Sequence, residues 1–269
     1  MGRLDDRVAI VTGGARGIGQ ATCVRLAADG AAVVVNDLDQ AAAQQTVDLI
    51  TNAGGKAAAV AANTVDLAEA ERLVSTTVDQ FGKLDIIVNN AGITRDKMFH
   101  GMTDELFDAV FDANLKTGFH TSLAAMPYLR EVAKKEIAEN GAVAYNRKLV
   151  FTSSIAALMG NPGQYNYTAA KGAIISTVKT LARELGPFGI NVNAVAPGFI
   201  ETPMTAAKKP GDTVGIPEET RQMMRMMIAL GRFGQPEDIA NTHAFLVSSD
   251  ADFISGVTIP VTGGQLGGM

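Results

Sequence analysis

Four apolar residues, Val8-Ala9-Ile10-Val11, run straight into Thr12-Gly13-Gly14-Ala15-Arg16-Gly17-Ile18-Gly19, and a helical pattern follows from Gln20 to Asp29, closed by Gly30. No other feature restricts the fold as strongly. A short apolar run without polar alternation reads as a strand buried on both faces, the kind found in parallel sheets covered by helices. Glycines between such a strand and a helix let backbone approach a ligand closely, and the helix N-terminus leaves N–H groups free for an anion. A second strand, Ala31 to Asn36, ends in Asp37, about 20 residues after the glycines. A carboxylate there can accept both hydroxyls of an adenosine ribose and would repel a 2′-phosphate. The unit is therefore expected to hold a dinucleotide, NAD in preference to NADP. Arg16 argues the other way, because a loop arginine could hold that phosphate. Asp37 is given more weight, since its carboxylate would occupy the phosphate's place.

The alternation continues. Residues 39–53 read as a helix, Lys56 to Ala62 as a strand, Asp66 to Phe81 as a helix and Leu84 to Val88 as a strand. Asn63 and Thr64, after the third strand, read equally as an adenine contact and as simple turn polarity. Asn89-Asn90-Ala91-Gly92 closes the fourth strand with two amides and a glycine, which suggests the edge of a cleft. Thr103 to about Ala133 reads as one long helix, with Asn114 among apolar neighbours in its middle, where asparagine has poor propensity. A strand at 148–152, a helix at 165–185 and a strand from Ile190 to Ala196, stopped by Pro197-Gly198, follow. Helices at 217–230 and 236–246 and a last strand from Val257 to Val261 complete the pattern. The fold predicted is a single α/β domain over 1–269, a doubly wound parallel sheet in three α/β/α layers. A charged, then Gly/Ala-rich segment at about 131–147 is expected to be a helix extension plus surface loop. The stretch 204–230, with Met223, Met224, Met226 and Met227, reads equally as core and as a flexible apolar lid. A glycine-rich tail, 263–269, is expected at a subunit interface.

Composition removes several function classes. A net charge of −5 over 269 residues, with no basic run, argues against nucleic-acid binding. No apolar run is long enough to span a bilayer, and the charged N-terminal stretch lacks an apolar signal core, so a soluble, cytoplasmic protein is expected. The lone Cys23 reads as buried helix filler. His100, His120 and His243 show no metal-ligand spacing and read as structural or surface residues.

The chemistry is expected at 148–171. The strand there ends in Thr152-Ser153-Ser154, and the next helix carries Tyr167 and Lys171, four apart and therefore on one face. An ammonium beside a phenol favours the phenolate, so the pKa of Tyr167 is expected to fall from about 10 toward the working range. Such a phenol can exchange a proton with an alcohol or a carbonyl oxygen. Tyr165 has only Ala169 at the same spacing.

Taken together, these residues resemble the short-chain dehydrogenase/reductase family over nearly the whole chain. The resemblance rests on Thr12-Gly13-x3-Gly17-x-Gly19, Asn89-Asn90-Ala91-Gly92, Asn114, Ser154 thirteen residues before Tyr167, Lys171, and Pro197-Gly198 followed by Thr202. Stretches such as TGGARGIG, NNAGITRD and VNAVAPGFIETPM are similar to its 3-oxoacyl-thioester reductases. The resemblance implies a Rossmann fold, a homotetramer, and reversible hydride transfer between NAD and a secondary alcohol or ketone. The favoured substrate is a 3-oxoacyl or 3-hydroxyacyl thioester. It further implies Tyr167 as acid/base, Lys171 as its partner and ribose ligand, Ser154 on the substrate oxygen, and Asn114 holding a relay water. Gly13, Arg16, Gly17, Ile18, Gly19, Asn90, Ala91, Gly92, Pro197, Gly198, Ile200 and Thr202 would line the cofactor site. Alternatives that share these motifs are a generalist alcohol, sugar-alcohol or steroid dehydrogenase, and a catalytically silent NAD-binding regulator. The chain departs from the family in four places. Asp37 is at odds with the NADPH preference of biosynthetic reductases, and Asn63-Thr64 replaces an acidic-apolar pair. Phe188 stands where carrier-protein reductases often have an arginine, and the 131–147 segment is longer than usual.

Overall fold

A computed structural model describes residues 2–202, 205–208 and 215–265. Seven parallel strands form one sheet in the order β3-β2-β1-β4-β5-β6-β7. They are β1 (Val8–Thr12), β2 (Ala32–Asp37), β3 (Lys56–Ala61), β4 (Ile86–Asn89), β5 (Arg147–Thr152), β6 (Ile190–Pro197) and β7 (Thr258–Val261). The order reverses between β1 and β4, which pair directly (Ile10 opposite Ile87), and ligands bind at such a switch point, outside the carboxyl ends of the strands.

The side-chain period of two explains why the strands are apolar throughout. Ala9, Val11, Val33, Val35, Ile86, Val88 and Val195 face one layer. That layer contains α1 (Gly17–Ala28), α2 (Gln40–Asn52) and α9 (Pro236–Val247). Ile10, Val34, Ile87, Leu149, Val192 and Ala194 face the other, with α3 (Leu67–Phe81), α5 (Thr117–Asn140) and α7 (Tyr165–Leu185). Local chemistry sets several boundaries. The carboxylate of Asp66 caps α3 by accepting from Ala68 and Glu69 N–H, and Gly82, at φ 80°, ends it.

Two helices differ from expectation. The single helix predicted from Thr103 is α4 (Asp104–Phe111) and α5, joined by a π-helical turn at Asp112–Lys116 that contains Asn114. The Asn114 side-chain amide donates to the Val110 carbonyl at 2.8 Å, the acceptor its own N–H would use in an α-helix. Beyond Ala133 the helix continues to Asn140 and stops at Gly141, φ 79°, so much of the 131–147 segment is helix extension followed by a short loop. The second difference is α8, which spans only Glu218–Met226. Met223, Met226 and Met227 are exposed, which sets aside the core reading of the methionine cluster. The other parts of the expected lid, at 204 and 209–214, and of the tail, at 266–269, lie outside the described residues. A short helix, α6 (Ala156–Met159), follows β5. Among the described residues no helix is long and apolar enough to cross a membrane.

Candidate active site

A cleft of about 390 Å³ opens at the carboxyl ends of β1, β4, β5 and β6. Gly13, Arg16, Gly17, Ile18, Gly19 and Asp37 line one end. Asn90, Ala91, Gly92 and Asn114 line the middle, with Ser154, Tyr167 and Lys171, and Pro197, Gly198, Ile200 and Thr202 close the far side. The lining also takes in Ile93, Thr152, Ser153 and Thr205, and it leaves out Asn63 and Thr64. Asn63 is exposed, and its Oδ1 accepts from Val65 N–H at 3.3 Å, a turn contact.

The glycine end is built for close backbone approach. Gly13 and Gly17 have φ of 62° and 54°, where side chains are strained. A Cβ on Gly19 would stand 1.9 Å from the Gly13 carbonyl oxygen, and one on Gly13 would stand 3.0 Å from Ala91 Cα. Asn90 locks this turn to β4: its Nδ2 donates to the carbonyls of Thr12 (3.1 Å) and Gly13 (3.3 Å). The Thr12 hydroxyl accepts from the N–H groups of Asn90 and Ala91. With its N-terminus at Gly17, α1 offers free N–H groups to an anion in the cleft. At the end of β2, Asp37 Oδ2 accepts from Ala15 N–H at 3.2 Å, so the carboxylate is fixed beside the glycine turn. Arg16 is held by Asp39 in an exposed ion pair of 2.9 Å.

At the other end, Lys171 is buried, and its Nζ donates to the Thr152 carbonyl at 2.8 Å. The Ser153 hydroxyl donates to the Lys171 carbonyl, also at 2.8 Å, which fastens α7 to the end of β5. Among the described residues no carboxylate neutralises the ammonium, and burial pushes its pKa down to about 7. Lys171 Nζ lies 5.7 Å from the centre of the Tyr167 ring. Burial raises the pKa of the Tyr167 phenol, with the Ser154 side chain pulling it back through a hydrogen bond and the Asp96 charge adding to the rise. This corrects the expected fall. Loss of hydration disfavours the phenolate more than its surroundings favour it, and the lysine is itself easily neutralised.

Asn114 is fixed by two donations from its Nδ2, to the Ile93 and Val110 carbonyls, both 2.8 Å. Its Oδ1 is buried without a protein partner. A Cβ on Gly92 would lie 2.3 Å from that oxygen and 3.2 Å from Lys171 Nζ, so the amide oxygen and the ammonium converge above this glycine. An orphaned acceptor, a nearby cation and a glycine cradle fit a polar group held between them. The three histidines differ widely: His100 is exposed, His120 half-buried, and His243 wholly buried behind the cleft floor.

A doubly wound parallel sheet with a glycine turn at its switch point and a Ser-Tyr-Lys set beyond it defines a class. The chain belongs to the short-chain dehydrogenase/reductases, oxidoreductases that act on CH–OH groups with a nicotinamide cofactor; the family model described as "Enoyl-(Acyl carrier protein) reductase" matches residues 13–265. Among individual proteins, it is 38% identical over 262 residues to a 3-oxoacyl-[acyl-carrier-protein] reductase FabG of Thermotoga maritima, covering 97% of this chain and 98% of that one. It is 40% identical over 270 residues to the (3R)-3-hydroxyacyl-CoA dehydrogenase of Rattus norvegicus, covering 97% of each. The crystal structure of gox2181 superposes with a TM-score of 0.87 at 32% identity, over 98% of this chain and 97% of that one.

Proposed function

We propose that the cleft interconverts a 3-oxoacyl and a 3-hydroxyacyl thioester, with NAD as the preferred cofactor. The observation that carries the reading is the convergence of Ser154, Tyr167 and Lys171 on one wall of a cleft whose other end is the glycine turn and Asp37. The names of the bacterial reductase and the rat dehydrogenase support the thioester. The nicotinamide group supplies the hydride chemistry when bound. Gly13, Gly17, Ile18 and Gly19 would hold its pyrophosphate, Asp37 the adenosine ribose, Lys171 the nicotinamide ribose, and Asn90 to Gly92 and Pro197 to Thr202 its remaining length. Asp37 supports NAD because its carboxylate would meet a 2′-phosphate, and Arg16 is already engaged by Asp39.

In the reducing direction Tyr167 gives its proton to the substrate oxygen, and in the oxidising direction it takes that proton back. Ser154 hydrogen-bonds the same oxygen and stabilises the charge that develops on it. Lys171, anchored on the Thr152 carbonyl, stands beside the phenol, and Asn114 Oδ1 would hold a water that passes protons to Lys171. Phe188, in place of a basic residue, weakens the case for an acidic carrier protein, although Arg130 stacks on its ring at 4.3 Å. Phe119 and Leu123, one turn apart, are exposed on α5, and we assign this apolar face to contacts within a homotetramer, to be checked by light scattering.

Steady-state kinetics with NADH and NADPH on acetoacetyl-CoA, beside a panel of cyclic and sugar alcohols, tests the reading. Reduction of the thioester with a preference for NADH is expected. Turnover confined to the alcohols would shift the assignment to a generalist dehydrogenase.

A further inference from the structure

Behind the cleft floor, the imidazole of His243 on α9 is completely buried, and both of its nitrogens meet hydroxyls. Nδ1 lies 3.0 Å from Thr22 Oγ1 on α1, and Nε2 lies 3.4 Å from Thr152 Oγ1 at the end of β5. The proton positions follow by counting. The one hydroxyl proton of Thr22 goes to the Ile18 carbonyl at 2.8 Å, so Thr22 Oγ1 accepts from Nδ1–H. Nε2 is then a bare acceptor, and Thr152 is the donor facing it. The same hydroxyl stands 3.4 Å from Asn90 Oδ1. The Asn90 amide cannot be turned round, because its Nδ2 already serves the Thr12 and Gly13 carbonyls. The Thr152 proton is thus shared between two acceptors, one on α9 and one on the residue that locks the glycine turn. Burial holds the ring neutral, with its pKa pushed down to about 3, so this arrangement does not change over the working pH range.

We propose that His243 is a positioning residue for the dinucleotide: by sharing the Thr152 hydroxyl with Asn90, it sets the orientation of Asn90 and with it the shape of the glycine turn. The chain Thr22–His243–Thr152–Asn90–Gly13 crosses the molecule from the back of α1 to the turn at its front. It also passes through the residue whose carbonyl anchors Lys171. A buried imidazole in an apolar layer costs desolvation that a leucine would not, and its compensating bonds lead to the cleft. The proposal rests on the dinucleotide reading of that cleft.

Three variants separate positioning from filling space. His243→Leu fills the volume without either bond. Glutamine reaches about as far as Nε2 and can accept from Thr152, whereas asparagine reaches only about as far as Nδ1 and serves Thr22. Dissociation constants for NADH and NADPH are to be read by cofactor fluorescence, together with kcat, KM and thermal midpoint. His243→Leu and His243→Asn should weaken the preferred dinucleotide about three- to tenfold, the worth of one such bond, with kcat nearly unchanged. His243→Gln should restore binding to within about twofold whatever its midpoint. Equal dinucleotide binding by all three variants, or losses that follow the midpoint and ignore which nitrogen is replaced, would overturn the proposal. If the leucine variant does not fold, the glutamine–asparagine difference decides. A wild-type protein that binds neither dinucleotide would overturn the cleft reading as well.

Discussion

The two ends of the central sheet treat buried charges differently, although each end also holds an unpartnered polar atom, Arg147 Nε at the amino end and Asn114 Oδ1 at the carboxyl end. At the amino ends of β1, β4 and β5, each buried charge has a counter-charge. Asp85 accepts from Val8 N–H at 2.9 Å, from the Tyr145 hydroxyl, and pairs with Lys83 at 3.3 Å. Arg147 meets Glu136 through two bonds of 3.1 and 2.8 Å, and Lys148 meets Asp252 and the Asn191 side chain. At the carboxyl ends, among the described residues, Lys171 has a carbonyl and no carboxylate, and Asn114 Oδ1 and Asn89 Oδ1 are buried without partners. Two buried lysines, Lys148 on β5 and Lys171 on α7, thus differ in kind. Both are pushed down by burial, but Asp252 restrains the fall for Lys148 while nothing does for Lys171. An end that satisfies every charge adds to stability. An end that leaves groups unmatched keeps them for a ligand, at some cost to the fold.

The largest expected effect is on the unmatched end. Tyr167→Phe should lower kcat about 10²–10⁴-fold, the usual cost of losing an acid/base group. The thermal midpoint should hardly move, because among the described residues only Ser154 hydrogen-bonds the phenol. The two directions should also separate with pH. The phenol's raised pKa means that kcat/KM for oxidation climbs as pH rises above neutral, while reduction weakens at the alkaline extreme. Near-normal turnover in the phenylalanine variant, with NADH still bound, would remove Tyr167 from the mechanism and end the contrast.

Lys148→Met should do the reverse. It removes the partner of Asp252 and of Asn191 Oδ1 at a site 3% exposed, and should cost about 1.5–3 kcal/mol in urea unfolding while kcat stays close to wild type. Glu136→Gln should cost about 2 kcal/mol at neutral pH, with a distinct acid signature. Hydrogen bonds from Arg147 hold the Glu136 carboxyl below its usual range. Its contribution is therefore complete above the unfolded value, near 4.5, and is lost as pH falls through the lower folded value. The gap between wild type and variant should narrow on acidification. A gap that is constant from pH 7 to pH 3 would mean that the charge of the carboxylate adds nothing to the pair.

How much of this could be read from the chain depends on whether the cause is local. The strand–glycine–helix unit and the doubly wound order were legible because period and punctuation are local signals: Ile10 and Val11 face opposite layers, and both are apolar. The spacing of Tyr167 and Lys171 is local too. The phenol's pKa was not legible, since it depends on how much of the ring's hydration other elements remove, and the sign came out reversed. The π-turn at Asn114 was invisible for a related reason: it depends on an amide choosing the Val110 carbonyl once Ile93 supplies a second acceptor. His243 shows no sequence signal, because its two partners lie on α1 and β5, far off along the chain. The one available hint was a histidine on the apolar face of a helix otherwise made of Ile239, Ala240, Ala244 and Val247.

Asp37 lies between the two regimes, and it gives the smallest effect. It belongs to the ligand end, yet its carboxylate is used by the protein: Oδ1 accepts from Leu38 N–H at 2.8 Å and Oδ2 from Ala15 N–H at 3.2 Å. A replacement must therefore alter cofactor choice without freeing the turn. Asp37→Ser keeps an oxygen acceptor near these N–H groups and removes the charge. The ratio of kcat/KM for NADH over NADPH should fall about tenfold, close to 1.4 kcal/mol, through both a weaker ribose contact and relief of repulsion toward a 2′-phosphate. Arg16 is the natural beneficiary, since Asp39 is its only ionic partner among the described residues. The double variant Asp37→Ser/Asp39→Ser should then move the ratio further than Asp37→Ser alone. An unchanged ratio in both variants would mean that the carboxylate serves the turn and takes no part in choosing the dinucleotide.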